Sequence, residues 1–371
     1  MSNSIAALVY LHQLWKENPT VAAARRIALV EDPLFFSQYN FHCQKLPKRN
    51  ASWKHSMSND HSQFQNKPVA LKSERKRVKL ANASIFSFKM ALLMSAILIA
   101  SGVLHLAKLV WDGGEWNGPL SLRKPGLFGV SAGLTVWSIA WLMTQLRPLK
   151  SDRIVTNLIA GSLFVEVSLI TWQYWRRTPS HFNRETYLDA SIEAMMLALI
   201  IFATVIIFYL TLRTTRFRKI EASKALAIRG GMILLALSCG LGILTAVLGE
   251  MNIAAGKPYE TWGSAGVLKF PHGAALHALQ LLPLLNWIVH RLHVPHPIRV
   301  IGSTLASQVA FLLYSIRQTL QGRDRFDYDA VGALILLATC LLCVYPIGMS
   351  ARVLILHLRN YFRSRCIPSD H

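Results

Sequence analysis

An all-α integral membrane protein, a bundle of about eight transmembrane helices, is the fold class that this sequence predicts. Three observations predict it. The 371 residues are 52% hydrophobic and only 16% charged, with mean hydropathy +0.32, whereas a soluble domain carries about a quarter charged residues. Between Ile85 and Leu356 the apolar residues gather into blocks of roughly 17–25, the length that crosses a ~30 Å hydrocarbon core as a helix. Basic residues concentrate in alternate connections, as cytoplasmic retention of positive charge requires.

The blocks follow one another as Phe86–Trp111, Leu127–Leu146, Ile154–Trp175, Ile192–Leu212, Gly230–Leu248, Ala274–Val289, Val300–Leu320 and Ala330–Leu356, the last broken near Pro346. Each connection contains charge, Gly or Pro, which keeps the spans separate. Arg147, Lys150 and Arg153 follow the second span. A larger basic set from Arg213 to Arg229 follows the fourth, Arg291 and Arg299 follow the sixth, and Arg352, Arg359, Arg363 and Arg365 close the chain. This set is read as cytoplasmic, so both termini face inward and the expected location is a cell inner membrane. The basic run Lys72–Lys79 ahead of the first span supports the same orientation. Trp111, Trp116, Trp172, Trp175 and Trp262 then fall at the outer boundary, where amphipathic rings settle. Gly129 with Gly133, and Ser238 with Gly242, have spacings that permit close helix packing. They read equally well as ordinary small residues of membrane helices.

Residues 1–84 differ in kind, being polar, basic and without a block long enough to span. They read as a disordered cytoplasmic tail, matched by a short basic tail over 357–371. Residues 1–56 are expected to be dispensable, with Met57 a possible second start that keeps the Lys72–Lys79 signal. The net charge of +21 is explained by topology, so the expected partner is the lipid bilayer rather than nucleic acid. A small-molecule ligand or protein partner is left open. Five cysteines, three of them inside apolar blocks, form no disulfide framework. Cys340 and Cys343 make a CxxC that lacks polar surroundings. His290, His293 and His296 read as a solvated loop interrupted by Pro295 and Pro297. The chain has no P-loop, dinucleotide-binding glycine pattern, HExxH or GxSxG, and no long internal repeat, which counts against an inverted-repeat transporter.

Polar residues inside spans are costly, so each is a candidate site. His105, Glu193, His272, His277, Gln280 and Arg317 all map to the outer half of their spans, with His181 in the outer loop and Glu166 deeper, near the middle of span three. His277 and Gln280 share a helix face. The expected pocket brings His105, His277, Gln280 and Arg317 together, open to the outer side. Three uses follow. A proton- or ligand-linked transporter or sensor would use Glu166 and the histidines. A redox protein would hold haem b between His105 and His277, with Arg317 on a propionate. A membrane enzyme would use His181 or His277 as a general base.

Two strings are more specific than tethers require: Gln173–Asn183 (QYWRRTPSHFN) and Phe270–Gln280 (FPHGAALHALQ). They resemble segments of a family of uncharacterised bacterial multi-pass membrane proteins with WRGxPSHFN-like and PHxxxLHALQ-like patterns. The likeness covers residues 90–357 and excludes the N-terminal tail. It implies the multi-pass architecture and no activity. Arg177 stands where the pattern has Gly, which puts the loop's conformation in question.

Overall fold

The computed structural model of the protein describes residues 67–118, 120–216 and 220–366. The expectations for residues 1–56 and for a start at Met57 lie outside the described residues. The described chain is helical throughout its spans: α1 Lys67–Trp111, α2 Arg123–Gln145, α3 Asp152–Trp175, α4 Tyr187–Thr214, α5 Ala222–Ala254, α6 Lys269–Ala275, α7 Ala278–Arg291, α8 Pro297–Leu320 and α9 Ala330–Cys366. A two-stranded hairpin, β1 Thr261–Trp262 and β2 Gly266–Val267, precedes α6. Among the described residues, seven helices are long and apolar enough to cross a membrane: α2, α3, α4, α5, α8, and the segments Phe86–Trp111 of α1 and Ala330–Val353 of α9.

The sixth apolar block departs from the expected single helix. It forms two shorter helices, α6 and α7, meeting at Leu276 and His277. Gly273, a weak helix former, lies just ahead of the break, whereas Pro271 sits in the first turn of α6 and α7 continues through Pro283. The tail boundaries also shift. α1 begins at Lys67, so residues 67–84 continue the first span as helix, and α9 runs through 357–366. Residues 69–84 consist largely of Ala, Leu, Lys, Arg and Glu without Gly or Pro, a composition that propagates an existing helix.

Sequential helices pack as neighbours. α1 lies along α2 and touches α3, and α2, α3, α4 and α5 follow in order. α5 also packs on α6, α7 and α8, while α9 packs chiefly on α8. The main core joins Leu98, Val136, Ile139, Leu163, Val167, Ile207, Met232, Leu235 and Leu279. The glycines of α2 decide the α1–α2 contact. A Cβ at Gly129 would lie 2.8 Å from the Gly102 Cα, and one at Gly133 would lie 2.9 Å from the Ser95 carbonyl oxygen. Ser95 uses the approach to donate to the Gly133 carbonyl at 2.8 Å.

Candidate functional site

The α3–α4 connection is built as a rigid cap on one end of the bundle. Asp189, 2% exposed on α4, accepts from Gln173 at 3.0 Å and from Arg176 at 2.7 Å, and its other oxygen accepts from Thr186 at 2.6 Å. Thr186 caps α4 by accepting from the Asp189 backbone N–H. Two non-glycine residues in the loop hold a left-handed backbone, Arg177 at φ 62° and Phe182 at φ 57°. The backbone at Phe182 is secured by Glu193, whose Oε1 accepts from the Phe182 N–H at 2.7 Å and whose Oε2 accepts from Arg184 at 3.0 Å. The Phe182 ring reaches Tyr259, at 4.7 Å between centroids, and occupies the space above Gly249.

Beneath this cap is a narrow crevice, closed to a water-sized sphere, lined by Ser121, Lys124, Pro125, Ile170, Tyr174, Thr178 and Ser180. His181 shares a hydrogen bond with Ser180 at 3.1 Å and leans on the Phe128 ring. Burial, and secondarily the Lys124 ammonium, push its pKa down to about 3. It is therefore a neutral imidazole over the physiological range.

Deeper in the bundle a set of polar side chains draws on six helices, α2 through α7. Glu166 on α3 is 6% exposed and has no hydrogen-bond or ion-pair partner among the described residues. It lies within electrostatic reach of Cys239 on α5, which also meets Thr204 of α4. The next residue, Ser238, is locked to the broken span. Its hydroxyl donates to the His272 carbonyl at 2.7 Å, and its own carbonyl accepts from the His272 Nδ1–H at 2.7 Å. Gly242 lies against the same imidazole, so the small-residue spacing of span five forms a seat for His272. His277, at the helix break, interacts with His272 and with Gln280. Gln280 donates to Thr135 of α2 at 3.4 Å, while its buried Oε1 has no partner.

The structure therefore brings together His272, His277 and Gln280 and places Glu166 beside the same α5 segment. The other expected pocket residues are engaged elsewhere. Arg317 forms a two-pronged pair with Asp329 in the α8–α9 connection, both contacts at 2.7 Å. Glu193 and His181 belong to the cap. His105 has both ring nitrogens occupied: Nδ1 donates to the Ser101 carbonyl at 2.7 Å, and Nε2 accepts from the Trp175 indole N–H at 3.3 Å. A carbonyl only accepts and an indole N–H only donates, so the tautomer is fixed and no ring lone pair remains for iron. The His105–His277 pair thus does not fit a haem, and Arg317 is not free for a propionate.

Sequence reasoning missed Lys124 and Tyr174 as site residues because each looks like an ordinary group at the boundary of a span. The QYWRRTPSHFN string was the available signal, since it contains Tyr174, Thr178 and Ser180 together. At the opposite end, Arg213 holds Asp152 and the Arg147 carbonyl, and His290 pairs with Glu221 at 2.7 Å. His290 is thereby tied to the α4–α5 connection, whereas His293 and His296 adopt left-handed turns at φ 55°. Cys343 lies 2.9 Å from the Ser307 hydroxyl, and Cys340 is exposed on the apolar α9. Among the described residues, no group of three or more His, Cys, Asp or Glu side chains is arranged to hold a metal ion. No protein family matches the chain, nor does any curated protein or solved structure.

Proposed function

We propose that this protein is a proton-linked membrane transporter in a cell inner membrane, with both termini inside and the α3–α4 cap outside. The observation that carries the reading is Glu166. A carboxyl without a partner inside a membrane bundle is expensive as an anion, so it holds a proton until a base or water reaches it. Loading and unloading such a proton changes the favoured packing around it. The adjoining broken span supplies an element able to respond. Discontinuous helices at membrane depth are tolerated where they border a cavity or another part of the protein, and in transporters they often form the substrate and coupling-ion site. Here the break at Leu276 and His277 is joined to α5 through the Ser238–His272 pair, one residue from Cys239. The resemblance of the two strings to multi-pass bacterial proteins agrees with this setting without naming a cargo.

The test is spectroscopic. Reconstituted protein titrated by infrared difference spectroscopy should show the carbonyl stretch of a protonated carboxylic acid that is lost in Glu166→Gln. In a background without the other cysteines, the pH profile of Cys239 labelling should be displaced in Glu166→Gln relative to the native residue, beyond the rise with pH that any thiol shows as its thiolate forms. Superimposable spectra of the two proteins, together with identical labelling profiles, would sink the proposal.

A further inference from the structure

The crevice beneath the α3–α4 cap points to a second binding element. Lys124 projects from the first turn of α2 with no hydrogen-bond or ion-pair partner among the described residues, although it lines the crevice. Most other cations near the crevice are already engaged, while Arg177 and Lys257 are exposed to solvent. Arg176 is on Asp189, Arg184 is on Glu193 and Glu250, Lys269 is on Glu260, and Arg317 is on Asp329. Arg123 lies over the Trp116 ring at 5.7 Å. Glu193 and Glu260 are the carboxylates that act on Lys124, and both are committed to those other partners.

Four hydroxyl residues, Ser121, Tyr174, Thr178 and Ser180, line the same crevice; Ser121 donates to the Glu115 carbonyl and Thr178 to Gln173. The Tyr174 hydroxyl has no hydrogen-bond partner among the described residues. Ser180 is 5% exposed and faces a neutral His181. When His181 donates from Nδ1, the Ser180 hydroxyl proton is free to turn into the crevice. The lining thus offers one lysine amine and at least two uncommitted hydroxyl donors, with no carboxylate among its residues. That is the chemistry of a small monoanion site, because charge-assisted hydrogen bonds to oxyanions are the strong ones. The crevice is too narrow to admit a water-sized sphere as it stands. An anion would enter by displacing the flexible Lys124 side chain, the most movable part of the wall.

The position relates this site to Glu166. Ile170, buried at the crevice floor, lies one helical turn from Glu166 on α3, about 6 Å along the axis, and Tyr174 lies one turn further on. We infer that the crevice binds the carboxylate of a small organic acid, which travels with the proton held by Glu166. The pairing with a proton rests on the transporter reading; the binding itself does not.

Binding is measured on the purified full-length chain with acetate, with inorganic phosphate, with a short-chain phosphatidylglycerol and with chloride at matched ionic strength. The readouts are thermal unfolding and intrinsic tryptophan fluorescence. A saturable response to acetate is expected, lost in Lys124→Gln and weakened several-fold in Tyr174→Phe, with Glu166→Gln retaining it. Preference for phosphate or for the lipid reassigns the source of the oxyanion and overturns the organic-acid assignment. A response that follows ionic strength alone, or one unchanged in Lys124→Gln, overturns the site. Should Lys124→Gln fail to fold, unchanged affinity in both Tyr174→Phe and Ser180→Ala does the same. Binding retained in a protein whose Glu166 infrared band is missing would separate the anion site from the proton reading.

Discussion

Arg177 occupies a left-handed backbone conformation, at φ 62°, which a residue with a Cβ adopts only at a cost. Its exposed side chain makes no contact that offsets this. Glycine adopts this conformation at no steric cost, so Arg177→Gly should stabilise the protein by about 1 kcal/mol. Thermal unfolding in detergent checks it; a lowered unfolding temperature would show that the side chain contributes more than the strain costs. His181 sets a pH dependence. Its pKa in the folded protein is pushed down from 6.5 to about 3, so within that window the unfolded chain binds the proton first and stability falls as pH falls. Many carboxylates titrate nearby, so the informative quantity is the difference between the native chain and His181→Gln. The variant should lose less stability on acidification from neutral pH, and parallel profiles would refute the assignment.

At the level of elements, the α1–α2 pair shows what a short sequence pattern can decide. Lipid tails are as apolar as leucine, so helix association depends on close packing and hydrogen bonds rather than on expulsion of water. Gly133 lets α2 approach until Ser95 reaches its carbonyl, and a Cβ there would meet the Ile99 Cγ1 at 2.6 Å. Gly133→Ala should therefore cost about 1–3 kcal/mol through overpacking, measured as reduced thermal stability of the purified protein. An unchanged unfolding temperature would mean that α1 can move away at no cost. The broken sixth span follows a different rule. Its two pieces are held by their neighbours rather than by their own ladder, with His272 tied to Ser238 and Thr245 donating to the Leu268 carbonyl at 3.1 Å. A helix secured in this way can change its angle at the break while each piece remains helical.

For the whole molecule, helix alternation collects the α3–α4 cap, the hairpin and the α8–α9 connection at one end. The contacts confirm it: Ala265 donates to the Gly322 carbonyl at 2.9 Å, and Arg184 reaches Glu250 at 3.0 Å. Arg147, Asp152, Arg213 and His290 gather at the other end. In the orientation we propose, the positive-inside bias puts the cap end outside. In a background without native cysteines, cysteine at Glu185 or Lys257, both exposed, should react with an impermeant reagent added to intact cells, and cysteine at Lys150 should not. The reverse labelling would invert the topology and place the crevice on the inner face.

Hydrophobic block length, basic loop bias and small-residue spacing are local properties, so the multi-pass helical class was legible in the sequence. Hydrocarbon thickness imposes the block length on every spanning helix regardless of its neighbours. The break in span six was visible only as prolines and glycine near a continuous apolar run; whether such residues bend or interrupt a helix depends on what can satisfy the freed groups, and here Ser238 does so. Grouping candidate residues by depth placed His105, His277 and Arg317 at one level, but depth along an axis says nothing about rotation around it. The fold turns His105 to Trp175 and Arg317 to Asp329, and leaves the Glu166 and Lys124 side chains without hydrogen-bond or ion-pair partners among the described residues. Which polar groups are satisfied and which remain free was decided by tertiary packing, because a partner is set by how helices face one another across the bundle.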